Sequence, residues 1–443
     1  MNVQIGQGID WNWGRGPILN QQFPWHYPQP HTFTPSSAVD VWGSPRQVGL
    51  YIHTPFCVEK CDYCPYAVRA KQNSEKIAEY VEALKQEIEL CSRLPYMRGS
   101  QISSIYFGGG SPSILENEWL ESLNNLIRSR FEIRSDAEFT VEVNPVDVDE
   151  EKLDALDYIG VNRISVGVQS FDPQTLRSMR RAHSAEEAVA AFELIKHFRF
   201  KNTNLDLIYA YPNQTLEELA TSIAKAVALK PARITCASLS VYPKTELYYK
   251  VQKGLVRLPS ETLEMEMFEF LTRTLNASGY ELSVVLAFNL PGFRFRQEED
   301  LLRGSAELVG LGLSAFSVAN GYFYSNTNSF ADYYKHVRRG ELPITQGRKL
   351  DRPTQMAMSI IHGLRFLEID GTRFKHRFGV DMEQVYGGQL EKLIAGGLLV
   401  RSESVYRLTA DGMICLGPIM REFYREEPLF DKTYQGEAMP KAS

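Results

Sequence analysis

Cys57, Cys61 and Cys64 stand in the run Tyr51-Ile52-His53-Thr54-Pro55-Phe56-Cys57-Val58-Glu59-Lys60-Cys61-Asp62-Tyr63-Cys64, separated by three residues and then by two. This spacing lets one short loop set three thiolates around a corner of an iron-sulfur cube, leaving the fourth iron without a protein ligand. An open iron can hold a substrate or a cofactor. The same thiols also suit a tetrahedral zinc site, given a fourth ligand such as His53 or another cysteine. The remaining cysteines read as small buried hydrophobes. Cys91 is in phase with Ile77, Val81, Leu84 and Ile88 on one helical face. Cys236 lies in the strand-like run Ile234–Leu239, and Cys415 in the apolar run Met413–Leu416.

The elements that must position such a loop follow from periodicity. From Val48 onward the chain predicts strands at 48–53, 103–107, 139–143, 163–168, 204–209 and 233–240, with a helix at 74–91 and further helical stretches between. Repeated strand-helix units imply a parallel sheet, doubly wound or rolled into a partial barrel. From Met356 to Tyr424 the pattern is helical and ends in two short strands, Leu398–Arg401 and Val405–Thr409, a winged-helix-like α+β arrangement.

Length and charge set further bounds. A chain of 443 residues is long for one domain. The formal net charge of −6 comes with no basic stripe, and residues 356–424 carry eight Lys or Arg against eight Asp or Glu, so nucleic acid is not an expected partner. No apolar run reaches bilayer length and no signal-like start is present, which predicts a cytoplasmic protein without membrane association. Six cysteines in so long a chain do not make a disulfide scaffold. Residues 1–46 hold Trp11, Trp13, Trp25 and Trp42 and read as an arm that packs on the body, either as a lid or as a strap outside it. Residues 426–443 read as a loose tail.

Beyond the cysteines, the chain carries Phe107-Gly108-Gly109-Gly110-Ser111-Pro112-Ser113 and Val141-Glu142-Val143-Asn144-Pro145. It then carries Gly160-Val161-Asn162-Arg163-Ile164-Ser165-Val166-Gly167-Val168-Gln169-Ser170-Phe171 and Asn204-Leu205-Asp206-Leu207-Ile208-Tyr209-Ala210-Tyr211-Pro212. In this order the motifs resemble the radical S-adenosylmethionine (SAM) superfamily, in the branch typified by oxygen-independent coproporphyrinogen oxidase. The resemblance covers residues 48 to about 320, is looser beyond and hardly touches the first 45. It implies an α/β fold, an open partial (β/α)6 TIM-like barrel over 47–290. A connecting segment at 291–350 and a small C-terminal cover domain at 351–425 complete the expected organisation. Chemistry in parallel barrels sits at the C-terminal strand ends, where these motifs fall.

The resemblance also implies the cofactors: a [4Fe-4S] cluster on Cys57, Cys61 and Cys64, and SAM, in two molecules. An external one-electron donor of flavodoxin or ferredoxin type would reduce the cluster, and SAM would be cleaved to a 5'-deoxyadenosyl radical. By position, the main chain at Gly109, Gly110 and Ser111 would meet the methionine amino group. Glu142 would accept a ribose hydroxyl, and Gln169 and Arg181 would bind the carboxylate, for which an arginine fork is suited. Asp206 matches an acid near the adenosine, with a helix cap as its alternative. Tyr51 would face the substrate and Tyr63 would shield the cluster, unless either is core. Gly310, Gly312 and Phe316 match a second SAM pocket, with a packing turn as the plainer reading.

Two departures shape the functional expectation. Tyr66 stands where the coproporphyrinogen oxidases of the family carry a further cysteine, and Gln297–Leu302 replaces the His-Asn-x-x-Tyr-Trp stretch of its haem carriers. The expected activity is therefore one-carbon transfer from a second SAM, as C-methylation or cyclopropanation, to an sp2 carbon of a flat unsaturated small molecule. That places the chain closest in type to the class C radical SAM methyltransferases and cyclopropanases of natural product biosynthesis. Oxidative decarboxylation or ring-opening methylation of a tetrapyrrole is the alternative, and non-catalytic haem trafficking a second one. Tyr209, Tyr211, Arg294 and Arg296 are candidate substrate neighbours.

Overall fold

The computed structural model describes residues 27–28, 32–36 and 46–425. Most of the aromatic arm expected over 1–46 and all of the tail at 426–443 lie outside them. The chain divides into two units, Pro35–Lys349 and a second that joins the described residues up to Thr34 with those from Leu350 onward.

In the larger unit six strands alternate with helices: β1 (Gln47–Thr54), β2 (Gln101–Gly109), β3 (Glu132–Val143), β4 (Arg163–Gln169), β5 (Asn202–Tyr209) and β6 (Arg233–Ser238). Each pairs in parallel with the next. Val48, Leu50 and Ile52 of β1 and Ile164 and Val166 of β4 are fully buried, as expected of strands covered on both faces. The helices that return the chain are well capped. Asn73 caps Ser74–Ser92, and Ser184 and Thr215 open Ala185–Lys196 and Leu216–Leu229 with capping boxes completed by Glu187 and Glu218. The outermost strands of the sheet, Thr34–Pro35 and Glu281–Val284, do not pair with each other, so the barrel stays open.

Two features of this unit differ from the sequence expectation. Residues 291–350 supply strands to the same sheet. Glu307–Leu311 pairs in parallel with β1 on the side away from β2, and Phe316–Ala319, Tyr322–Asn326 and Ile344–Lys349 follow antiparallel. β3 begins seven residues before the expected 139. Its first half, Glu132-Ile-Arg-Ser-Asp-Ala-Glu, is polar and half exposed, and the register with β2 shifts between Ile102 and Ser104, which erases any alternation a sequence pattern could reveal.

The smaller unit packs helices Arg352–Arg365, Gly371–Phe378 and Met382–Ala395 with a three-stranded antiparallel sheet. The third strand, Glu368–Asp370, adds to the expected two-stranded wing and is too short to leave a period in the sequence. Cys91, Cys236 and Cys415 are buried.

Candidate active site

The C-terminal ends of the parallel strands and the cysteine loop line one cavity of about 220 Å3. Cys57, Cys61, Cys64, Tyr63, Gly109, Gly110, Ser111, Glu142, Gln169, Arg181 and Asp206 all face it. Segments distant in sequence meet here because β1 to β5 lie side by side, with their motifs at the same end.

Cys57 ends the short strand Phe56–Cys57, which pairs with Arg69–Ala70, and the Cys61 carbonyl accepts the Cys64 N–H at 3.3 Å. All three thiols are half-buried and free of disulfides. Burial, then the neighbouring Cys64 and Cys61, push the Cys57 thiol up to about 12, and burial raises Cys64 as well. Three thiolates so placed need a cationic centre among them, which matches a cluster corner. Tyr63 packs its ring on Met179, Tyr211, Leu239 and Leu247 beside the loop, so it both faces the cavity and closes a small apolar core.

The glycine edge is shaped by close approach. Gly109 has φ +112°, and a Cβ there would lie 2.5 Å from the His53 ring. The amides of this edge are committed within the protein: Gly109 N–H donates to Glu142 Oε2 (3.1 Å), Gly110 N–H to the Thr54 carbonyl and Ser111 N–H to the Phe56 carbonyl, both 2.7 Å. With its donors spent, this edge suits a ligand cation through its carbonyl oxygens. The Ser111 hydroxyl donates to Asp147 at 2.9 Å.

Glu142 is buried and accepts the Tyr106 hydroxyl at 2.6 Å; burial raises its carboxyl to about 7. Asp206 accepts Ser165 Oγ (2.9 Å) and Asn204 Nδ2 (2.8 Å) in mid-strand, which rules out the helix-cap alternative, and burial raises its pKa also. Arg181 donates Nη1 to Cys61 Sγ at 3.2 Å and Nη2 to the Gly167 carbonyl, while its Nε is buried without a partner. Gln169 sits at φ +70°, a strained conformation at the end of β4 beside a register shift. Three thiols, an acceptor edge, buried acids and an arginine with an unspent donor fit a cluster and the sulfonium amino acid SAM.

Other expected residues lie elsewhere. Tyr51 shares a 3.0 Å hydrogen bond with His53 Nδ1 and stacks on Tyr106, and it does not line the cavity. Gly310, Gly312 and Phe316 do not line the cavity. Gly312 N–H donates to buried Glu87 at 2.8 Å, and a Cβ on Gly312 would meet the His53 carbonyl at 2.7 Å, which puts this turn across His53 from Gly109. Of the candidate substrate neighbours, Tyr209 is buried, Tyr211 donates its hydroxyl to Asp62, and Arg296 pairs with Asp136 at 3.1 Å. Arg294 reaches Glu299 at 3.9 Å, and none of the four lines the cavity. Sequence reasoning missed Tyr106 and Ser165, which hold Glu142 and Asp206. Both sit within quoted or strand-like runs, yet their hydroxyls gain meaning only from the neighbouring strand.

Fold and site together define an iron-sulfur, SAM-dependent α/β barrel. Comparison with known proteins carries this further. The model of the radical SAM superfamily matches residues 51–226 and that of the HemN C-terminal domain residues 350–414. The heme chaperone HemW of Bacillus subtilis is 31% identical over 382 residues, 85% of this chain and 99% of its own. An oxygen-independent coproporphyrinogen III oxidase of Pseudomonas aeruginosa is 27% identical over 402 residues, 87% of each chain. The solved coproporphyrinogen III oxidase of Escherichia coli superposes with TM-score 0.78 at 24% identity, over 94% of this chain and 99% of its own, and shares the fold. The chain belongs to the radical SAM superfamily, in the HemN-like group with a HemN C-terminal domain, and uses a [4Fe-4S] cluster and SAM. These relatives shift the weight away from the one-carbon transfer expected from the sequence and toward its tetrapyrrole alternatives. No helix among the described residues is long and apolar enough to cross a membrane.

Proposed function

We propose that this protein cleaves SAM reductively and directs the resulting radical at a tetrapyrrole. The observation that carries this reading is the pair of names borne by relatives matched over 85% or more of the chain, heme chaperone and coproporphyrinogen oxidase. When bound, cluster and SAM supply a carbon–sulfur cleavage that yields a 5'-deoxyadenosyl radical able to take a hydrogen atom. The chain's own residues bind and orient. In this reading Cys57, Cys61 and Cys64 hold the cluster, and the Gly109–Gly110 edge accepts the methionyl ammonium. Arg181 and Gln169 take the carboxylate, Glu142 takes a ribose hydroxyl, and Asp206 lies toward the adenosine. Tyr63 keeps water from the cysteine loop by filling the apolar cluster beside it.

The test is anaerobic reconstitution with a low-potential reductant and a panel of tetrapyrroles, with nucleosides followed by mass spectrometry. Stimulation of 5'-deoxyadenosine by a porphyrinogen or haem supports the reading. Tight haem binding with no SAM consumed points to trafficking instead.

One-carbon transfer stays as a second reading because Tyr66, a residue 57% exposed that lines the cavity, stands in place of a cysteine. It would use a second SAM, although the Gly310–Phe316 turn expected to hold it is packed against Glu87 and His53. Methyl-deuterated SAM separates the two: deuterium in 5'-deoxyadenosine together with S-adenosylhomocysteine marks methyl transfer.

A further inference from the structure

The cysteine loop contains a buried charge that the cluster chemistry itself does not require. Asp62, between Cys61 and Tyr63, has a fully buried side chain, yet it is tied to groups almost two hundred residues away. Its carboxylate accepts the Tyr211 hydroxyl at 3.0 and 2.9 Å and Lys250 Nζ at 3.0 Å. Its N–H donates to the Met179 carbonyl (3.2 Å), and its carbonyl accepts the Leu247 N–H (2.9 Å). Four partner residues thus fasten the middle of the loop to the end of β5, to the segment before Arg181 and to helix Glu246–Gln252. Lys250 keeps 29% of its side chain exposed and pairs with Asp62 from the solvent side; it also reaches Glu246 at 3.2 Å, whose charge is met in turn by Arg180. A buried carboxylate costs several kcal/mol unless it is paired, and a positioning role alone would be served by a neutral acceptor.

We propose that Asp62 and Lys250 form a balanced charge pair that sets the electron affinity of the cluster held by Cys57, Cys61 and Cys64, while Asp62 fixes the position of the loop. Both are positioning residues, since neither touches the reacting atoms. The pair acts through the proposed cluster and is indifferent to the substrate. Reduction adds one negative charge to the cluster. An unbalanced carboxylate one residue from Cys61 opposes that charge, and an unbalanced ammonium favours it.

The experiment is a redox titration of the reconstituted holoprotein, read by the electron paramagnetic resonance of the reduced cluster, with iron content measured in parallel. Asp62→Asn should raise the midpoint potential and Lys250→Met should lower it. Each should change the reduced-to-oxidised ratio at fixed potential by about tenfold, which is ~59 mV for a one-electron couple. The double variant should return toward the parent. Shifts in the same direction, or unmoved potentials in proteins with full iron content, overturn the proposal. Should Asp62→Asn fail to load iron, Lys250→Met decides alone, because its side chain is partly in solvent and its loss leaves the loop's main-chain bonds in place. An unmoved potential there refutes the pair.

Discussion

Arg181 offers the most quantitative check on the SAM site. Its guanidinium is held in place by the bonds to Cys61 Sγ and to the Gly167 carbonyl, which leaves the buried Nε as the unspent donor. A ligand carboxylate that takes this donor gains a charge-assisted hydrogen bond worth about 1.5–3 kcal/mol. Arg181→Met keeps the length and the apolar contacts of the stem but removes charge and donors. At 1.4 kcal/mol per factor of ten, SAM affinity should fall by about 10- to 150-fold. Equilibrium dialysis of labelled SAM against reconstituted, oxidised protein measures this directly, and iron content serves as the control for an intact cluster. A variant with full iron that binds SAM within twofold of the parent refutes the assignment of the carboxylate to Arg181.

Three further outcomes follow from the same geometry. Cys61→Ala should give a folded, soluble protein with the near-ultraviolet circular dichroism of the parent apoprotein but without the cluster's visible absorption, and it should form no 5'-deoxyadenosine; parent-level nucleoside would contradict the ligand set. Gly109→Ala places a Cβ 2.5 Å from the His53 ring at φ +112°, where main-chain strain alone costs about 1–3 kcal/mol, so the thermal midpoint should fall; an unchanged midpoint would show that the edge relaxes freely. Glu142 has a folded value of about 7 against an ordinary 4.5. Its contribution to stability is full below the lower value and is lost as pH rises through the upper one, a difference on the order of 3 kcal/mol. Glu142→Gln should therefore gain stability relative to the parent between pH 5 and pH 8 in denaturant unfolding of the apoprotein, and parallel pH profiles would show that burial does not raise this acid.

Much of the site could be read in order along the chain. Cys57, Cys61 and Cys64 announce themselves by spacing, and Gly109, Glu142, Gln169 and Asp206 by the motifs around them, each carried on its own strand, while Arg181 follows helix Pro173–Ser178. The residues that hold them could not be read in this way. Tyr106 and Ser165 look like ordinary strand positions, Asp62 looks like a solvated loop acid, and Tyr211 looks like a substrate contact. Their roles depend on partners across strands or on Lys250, and no local pattern encodes a partner so distant. The strand Glu307–Leu311 was hidden for a related reason: its Gly310 signals a turn, while the pairing that makes it a strand comes from β1, more than two hundred and fifty residues earlier.

Residue types and their spacing establish the chemistry available and the elements that carry it: three thiols in one loop, a glycine edge, and strands with helices between them. These follow from local covalent spacing and from hydrophobic period, which a linear text records. It takes the folded chain to show that eleven of the expected residues share one cavity, that the Gly310–Phe316 turn stands outside it across His53, and that Asp62 is buried and paired. Those outcomes depend on burial and on contacts between segments far apart in the chain, where the energy of a charge or a hydroxyl is set by neighbours that the sequence does not place beside it.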